Sequence, residues 1–114
     1  MKVVEIKDES IVFEDGTKLY SNHDRDCCET HYLDFTHITI DDFDGLEFDL
    51  TNDNFFERVE GYGIRLIPVM GLPVSIAGYG YNNGYYSEEL TLVVKFTDNA
   101  EKRYDITDCQ VVEG

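Results

Sequence analysis

Hydrophobic positions along the chain recur at a spacing of two, in short runs broken by polar or glycine-containing turns. Residues 46–50 show this most cleanly, with Leu46, Phe48 and Leu50 alternating with Glu47 and Asp49. A period of two places the apolar side chains on one face of a half-buried strand. Residues 2–7 and 10–14 are shorter runs of the same kind, and Asp15-Gly16 marks a tight turn into Lys18, Leu19 and Tyr20. Residues 90–96, rich in Leu and Val, form the strongest strand candidate. Residues 98–101 then turn the chain into a run at 103–106, and residues 109–112 close it. The segments 64–69 and 73–77 predict a hairpin around Met70, Gly71 and Leu72. Pro68 and Pro73 belong at strand ends or edges there, because proline has no N–H to donate to a ladder.

Other stretches are less regular. Ile38, Thr39, Ile40 and Asp41 read as a strand, and Asp42-Phe43-Asp44-Gly45 as a turn. That turn lacks the further alternate acids and the closing Glu of a calcium loop. Residues 51–54 break the chain or cap a single helical turn around residues 55–59. Residues 78–86 carry too much Gly and Asn for a regular core strand, and Asn83-Gly84 is a strong turn dipeptide. Tyr79, Tyr81, Tyr85 and Tyr86 in that segment read first as residues packing across a sheet. A stacking or hot-spot loop is their functional counterpart. No stretch is helical for more than two turns. About eight or nine short β segments, with turns every ~8–12 residues, predict a mainly β fold. A small antiparallel sandwich or partly open barrel with an irregular metal-binding loop fits best, and a β-rich α+β arrangement is the alternative. The length of 114 residues, without repeat or linker, fits one domain, 1–114.

Charge narrows the function classes. Against 24 Asp and Glu stand 9 Lys and Arg, a net charge of −15. Direct nucleic-acid binding is disfavoured, because Lys and Arg must neutralise phosphates for most of the affinity. An acidic surface suits a basic protein partner, or imitation of a nucleic acid to a protein that binds one. A merely solubilising surface is the plain alternative. Eight Tyr and seven Phe exclude a disordered acidic tail. The densest acidic run supplies the candidate partner-binding residues Asp41, Asp42, Asp44, Glu47 and Asp49. No apolar run reaches the length of a membrane span, and no apolar run follows a basic start. The expectation is a soluble intracellular protein that makes no membrane contact.

Candidate chemistry is concentrated in residues 23–31. Two of three cysteines and two of three histidines fall in these nine positions, together with Asp24, Asp26 and Glu29. Clustered Cys and His in a cytosolic protein read as metal binding more readily than as a disulfide framework. Zinc takes thiolate and imidazole, usually four ligands in a tetrahedron. His23, Cys27 and Cys28 can converge on one ion in a turn, but not in a straight strand, where Cys27 and Cys28 would face opposite sides. Cys109 is the best distant fourth ligand, while His31, Asp26, Glu29 or a water compete for the place. The acids also suit a role in orienting His23. A structural Zn²⁺ of this kind would supply on the order of 10 kcal/mol towards folding. Without a metal, Cys27 and Cys28 would be small buried hydrophobes and His23 a surface residue.

The run His23-x-x-Asp26-Cys27-Cys28-Glu29-Thr30-x-Tyr32, followed by Asn83-Gly84-Tyr85-Tyr86-Ser87-Glu88, resembles a family of small phage and prophage proteins. Its members carry an H-x-x-D-C-C-E segment and later an N-G-Y-Y-S-E segment. A small acidic phage protein with a zinc site is also similar to zinc-containing anti-CRISPR proteins that inhibit the type II effector Cas9. The motif carries His23, Cys27 and Cys28 as matched positions. His31 stands where relatives are expected to be apolar, and Cys109 lies outside both motifs. The resemblance implies a protein of the bacterial host cytoplasm that binds Cas9 and interferes with DNA loading or cleavage, without being an enzyme.

Two other functions fit less well. A zinc hydrolase would use Glu29 or Asp26 as general base at an open metal position. The chain has no His-Glu-x-x-His motif, nucleophile elbow or P-loop to accompany it. A sponge for a nucleotide signal would use the tyrosine–glycine segment with Arg58 and Arg65, but basic residues are few.

Overall fold

The structure is a computed structural model that describes all residues except residue 8, residues 22–28, residues 83–89 and residue 114. Among the described residues, ten strands form two sheets. The first contains β1 (Val3–Ile6), β2 (Ser10–Phe13), β3 (Lys18–Ser21), β8 (Thr91–Lys95) and β9 (Glu101–Asp105), in the order β1-β2-β3-β8-β9, all antiparallel. The turn between β2 and β3 is the expected one. Gly16 takes φ +93°, and Phe13 N–H donates to the Thr17 carbonyl at 2.9 Å.

The second sheet is built around β7 (Val74–Asn82). On one edge β7 pairs antiparallel with β4 (Glu29–Asp34). On the other, its first half pairs antiparallel with β6 (Gly63–Leu66) and its second half parallel with β10 (Val111–Glu113). The strand β5 (Phe56–Val59) completes the sheet beside β6. The sheets face each other and neither closes on itself. Ile11, Phe13, Leu19, Leu92 and Val94 from the first sheet meet Leu33, Ile64, Leu66 and Ile76 from the second in one buried cluster. The mainly β sandwich expected from the spacing of two is the observed fold.

Local expectations fail at four places. Residues 38–41 do not form a strand. Ile40–Phe43 is a 3-10 turn, because the Asp42 carboxylate turns back to accept the Thr39 backbone N–H at 2.8 Å. Residues 46–50 keep their alternation, with Phe48 and Leu50 buried, but make no extended ladder. They are held by one bridge, Glu47 to Met70, and by reciprocal Met1–Phe48 backbone bonds of 2.8 Å. Residues 56–59 form a strand rather than a helical turn, since β6 offers an open ladder and burial for Phe56.

The fourth is the glycine-rich segment, whose first part, through Asn82, continues β7. Here Gly78 is required by crowding. A Cβ at Gly78 would lie 2.3 Å from the Cys109 carbonyl oxygen, where the chain leading into β10 crosses over the strand. Asn83-Gly84, Tyr85 and Tyr86 lie outside the described residues.

Candidate functional site

The acidic run and the β6–β7 hairpin tip are one structural unit. Pro68 follows β6 and Pro73 precedes β7, so the ladder stops on both sides and residues 68–73 project beyond it. Gly71, at φ +112°, makes the reversal. The Val69 N–H donates to the Glu47 carbonyl at 2.7 Å, and Glu47 and Met70 form the bridge. A Cβ at Gly71 would lie 2.4 Å from Leu46 Cδ2, so the acidic segment packs directly under the tip.

This tip exposes apolar side chains to an unusual degree. Val69 is 65% exposed, Met70 78% and Leu72 82%. Water-facing apolar residues that are contiguous, rather than scattered, mark contact surfaces. Hollows flank the tip. One of about 500 Å³ is lined by Ile38, Leu46, Leu72 and Pro73, with Asp42 and His37 at its margin. The other, of about 290 Å³, is lined by Phe55, Pro68 and Val69, with Asp49 beside them.

All five predicted acids are exposed and lie in this neighbourhood, though they are not equivalent. Asp42 is engaged with Thr39 as described. The Asp49 carboxylate accepts from the Thr51 hydroxyl and from the Thr51 N–H at 3.1 Å, and these bonds hold its pKa below the ordinary carboxylate value. Asp41, Asp44 and Glu47 form no ion pair among the described residues. The arrangement is an apolar knob with unneutralised negative charge beside it. Sequence reasoning found the acids but missed the knob. The signal was present in Val69-Met70-Gly71-Leu72, an apolar run inside a turn bounded by two prolines.

The metal candidates divide. His23, Cys27 and Cys28 lie outside the described residues, as do Asp24 and Asp26, and the side chains of Glu29 and His31 are not described. Cys109 is 1% exposed within the hydrophobic cluster, and burial pushes its thiol pKa up. It stands against Gly78, which pairs with Leu33. From Leu33 back to Glu29 is four residues of strand, about 13 Å. The geometry therefore keeps Cys109 well away from the described end of the ligand segment. Among the described residues, no three His, Cys, Asp or Glu are grouped to hold a metal ion.

The flanks of the two motif segments are neighbours. Residues 22–28 connect β3 to β4, and residues 83–89 lead from β7 towards β8. Ser21 pairs with Leu92 at one end, and Glu29 with Asn82 at the other. The buried Ser21 hydroxyl also accepts the Leu33 N–H at 3.0 Å, tying the two sheets together beside the first connection.

The remaining candidates are committed to local contacts. Arg58 donates through Nε to the Asp105 carbonyl at 2.9 Å and lies over the Phe56 ring at 5.2 Å, while Arg65 pairs with Glu57 at 3.2 Å. Tyr79 packs against Tyr32, ring centroids 5.9 Å apart, in agreement with cross-sheet packing. Among the described residues, no helix is long and apolar enough to cross a membrane. Comparison with protein-family models, with curated proteins and with solved structures finds no match to this chain.

Proposed function

We propose that the protein is a binding module, not an enzyme, that inserts its apolar tip into a basic protein partner. The carrying observation is the exposed Val69-Met70-Leu72 knob bonded to the acidic run through Val69 and Glu47. Apolar contact would supply affinity, while Asp41, Asp44 and Glu47 would steer and orient the encounter with positive charge. A net charge of −15 suits a partner that itself handles nucleic acid. The resemblance of the two motifs to small phage proteins, and to zinc-containing anti-CRISPR proteins, makes Cas9 the specific partner of this proposal, with DNA loading or cleavage as the inhibited step. His23, Cys27 and Cys28 are the proposed holders of a structural zinc ion.

The test is DNA loading and cleavage by guide-loaded Cas9 from several bacteria, with and without the purified chain. Inhibition that disappears in Met70→Glu/Leu72→Glu supports the proposal. Unchanged loading and cleavage throughout removes Cas9 as the partner. Inhibition that survives the double substitution removes the knob as the contact.

A further inference from the structure

A second surface lies next to this face, along the open edge of β1. A groove of about 400 Å³ is lined by the consecutive residues Val4, Glu5, Ile6 and Lys7 on one side, and by Phe35, Ile38 and Ile40 on the other. Consecutive strand residues point to opposite faces of a sheet, so a hollow touching all four follows the strand's edge and meets its backbone. β1 is the end strand of its sheet, and among the described residues no strand pairs with its outer side beside Ile6, although Ile40–Phe43 packs next to it. The ladder slips at Val4, which falls between the Val3–Phe13 and Glu5–Val12 pairs. Lys7 donates its N–H towards β2, to Ser10, so by alternation Ile6 turns its backbone groups to the groove. Val4 and Ile40 offer accessible apolar side chains among the polar lining residues, at 55% and 44% exposed. Asp41 and Asp42 follow Ile40 directly, and Ile38 lines both this groove and the hollow beside Leu72.

We propose that the β1 edge takes up an extended segment of the basic partner as an added strand. The segment's apolar side chains sit on Val4, Ile38 and Ile40, and its Lys or Arg side chains reach Asp41 and Glu5. Backbone pairing explains an extended occupant, because an open edge is a template for a strand. The acids select a basic one. This deepens the proposed function and rests on its reading that this end of the sandwich meets a basic protein.

The test uses a fluorescent synthetic peptide of alternating lysine and valine, titrated by anisotropy. Saturable binding is expected, and methylation of alternate peptide backbone nitrogens is expected to weaken it about tenfold or more, the loss of roughly one backbone hydrogen bond. Ile40→Lys, a substitution at an exposed position, is expected to weaken it similarly. Equal binding of the methylated peptide, or of an alternating glutamate–valine peptide, overturns the proposal. A dimer of the free chain that Ile40→Lys dissociates also overturns it, by giving the edge to a second copy. Met70→Glu/Leu72→Glu leaves the peptide titration unchanged while abolishing inhibition of the whole partner, so failure of either reading is seen separately.

Discussion

The Val69 N–H bonds to the Glu47 carbonyl at 2.7 Å, and this contact places an apolar tip against the acidic run. The relevant side chains face water, so their replacement tests function without testing the fold. Met70→Glu/Leu72→Glu is expected to shift stability by no more than about 0.5 kcal/mol, as surface substitutions do. The same variant should lose partner binding entirely. Denaturant titration alongside a binding assay checks both halves of the prediction.

Neutralising Asp41, Asp44 and Glu47 together, as Asn, Asn and Gln, should act differently. Rim charges mainly set association rate and salt dependence. The expected result is slower association, with dissociation little altered, and a flatter response to salt. Surface plasmon resonance over a range of ionic strength reads both rates.

Gly78→Ala should destabilise the domain by about 2–3 kcal/mol, as overpacked sites do. The added Cβ would meet the Cys109 carbonyl oxygen at 2.3 Å, and backbone cannot swing aside like a side-chain tip. A urea midpoint well below that of the unmodified chain is the expected reading. An unchanged midpoint would show that the chain leading into β10 does not cross there.

Three Asp-apolar-Thr triplets predict the acid limb of stability. Asp34-Phe35-Thr36, Asp49-Leu50-Thr51 and Asp105-Ile106-Thr107 each bury the central residue, while the Asp carboxylate accepts the Thr hydroxyl and N–H. At Asp49 and Asp105 the Thr hydroxyl is the largest influence and lowers the carboxyl pKa. At Asp34 burial opposes ionisation, but the Thr36 bonds and the nearby His37 together outweigh it. A folded pKa below the unfolded value of 3.8 means that the unfolded chain binds protons first as pH falls. The stabilisation is thus present above that value and lost as pH drops through the folded one. Thr51→Val, which removes a hydroxyl bonded to the Asp49 carboxylate, should lower the denaturation midpoint at neutral pH, and the difference should shrink in strong acid.

Tyr104 predicts the alkaline limb. Burial, and then its 2.8 Å bond to Asp53, raise the phenol to about 12 from 10.0. Since the folded value is the higher, this stabilisation is complete below pH 10.0 and lost as pH rises towards about 12. Absorbance titration should show a late tyrosine, and Asp53→Asn should bring it earlier.

Zinc analysis addresses the ligand-rich segment. One equivalent is expected in the purified chain, lost in Cys27→Ser and kept in Cys109→Ala. The second variant should nevertheless be less stable, because Cys109 fills the core.

The sequence by itself determined the class of fold and much of the charge pattern. A period of two needs only neighbouring residues to be visible, so β2, β3 and β8 were legible, as was the turn at Gly16. The acidic run at residues 41–49 was equally plain. The Asp-apolar-Thr triplets were legible too, but pass unnoticed without knowing that each central residue is buried. Tertiary structure alone decided the rest. Residues 46–50 alternate like a strand yet find just one bridge, because pairing depends on which backbone lies alongside. Glycines that argued against a strand at residues 78–80 serve one, because the Cys109 chain presses on Gly78. Cys109 is a ligand candidate by its chemistry, and tertiary structure alone places it in the core. Val69, Met70 and Leu72 read as ordinary hydrophobes, and only the two prolines and the Glu47 bond leave them in water beside the acids. Composition and spacing are local properties, whereas a surface is made where distant segments meet.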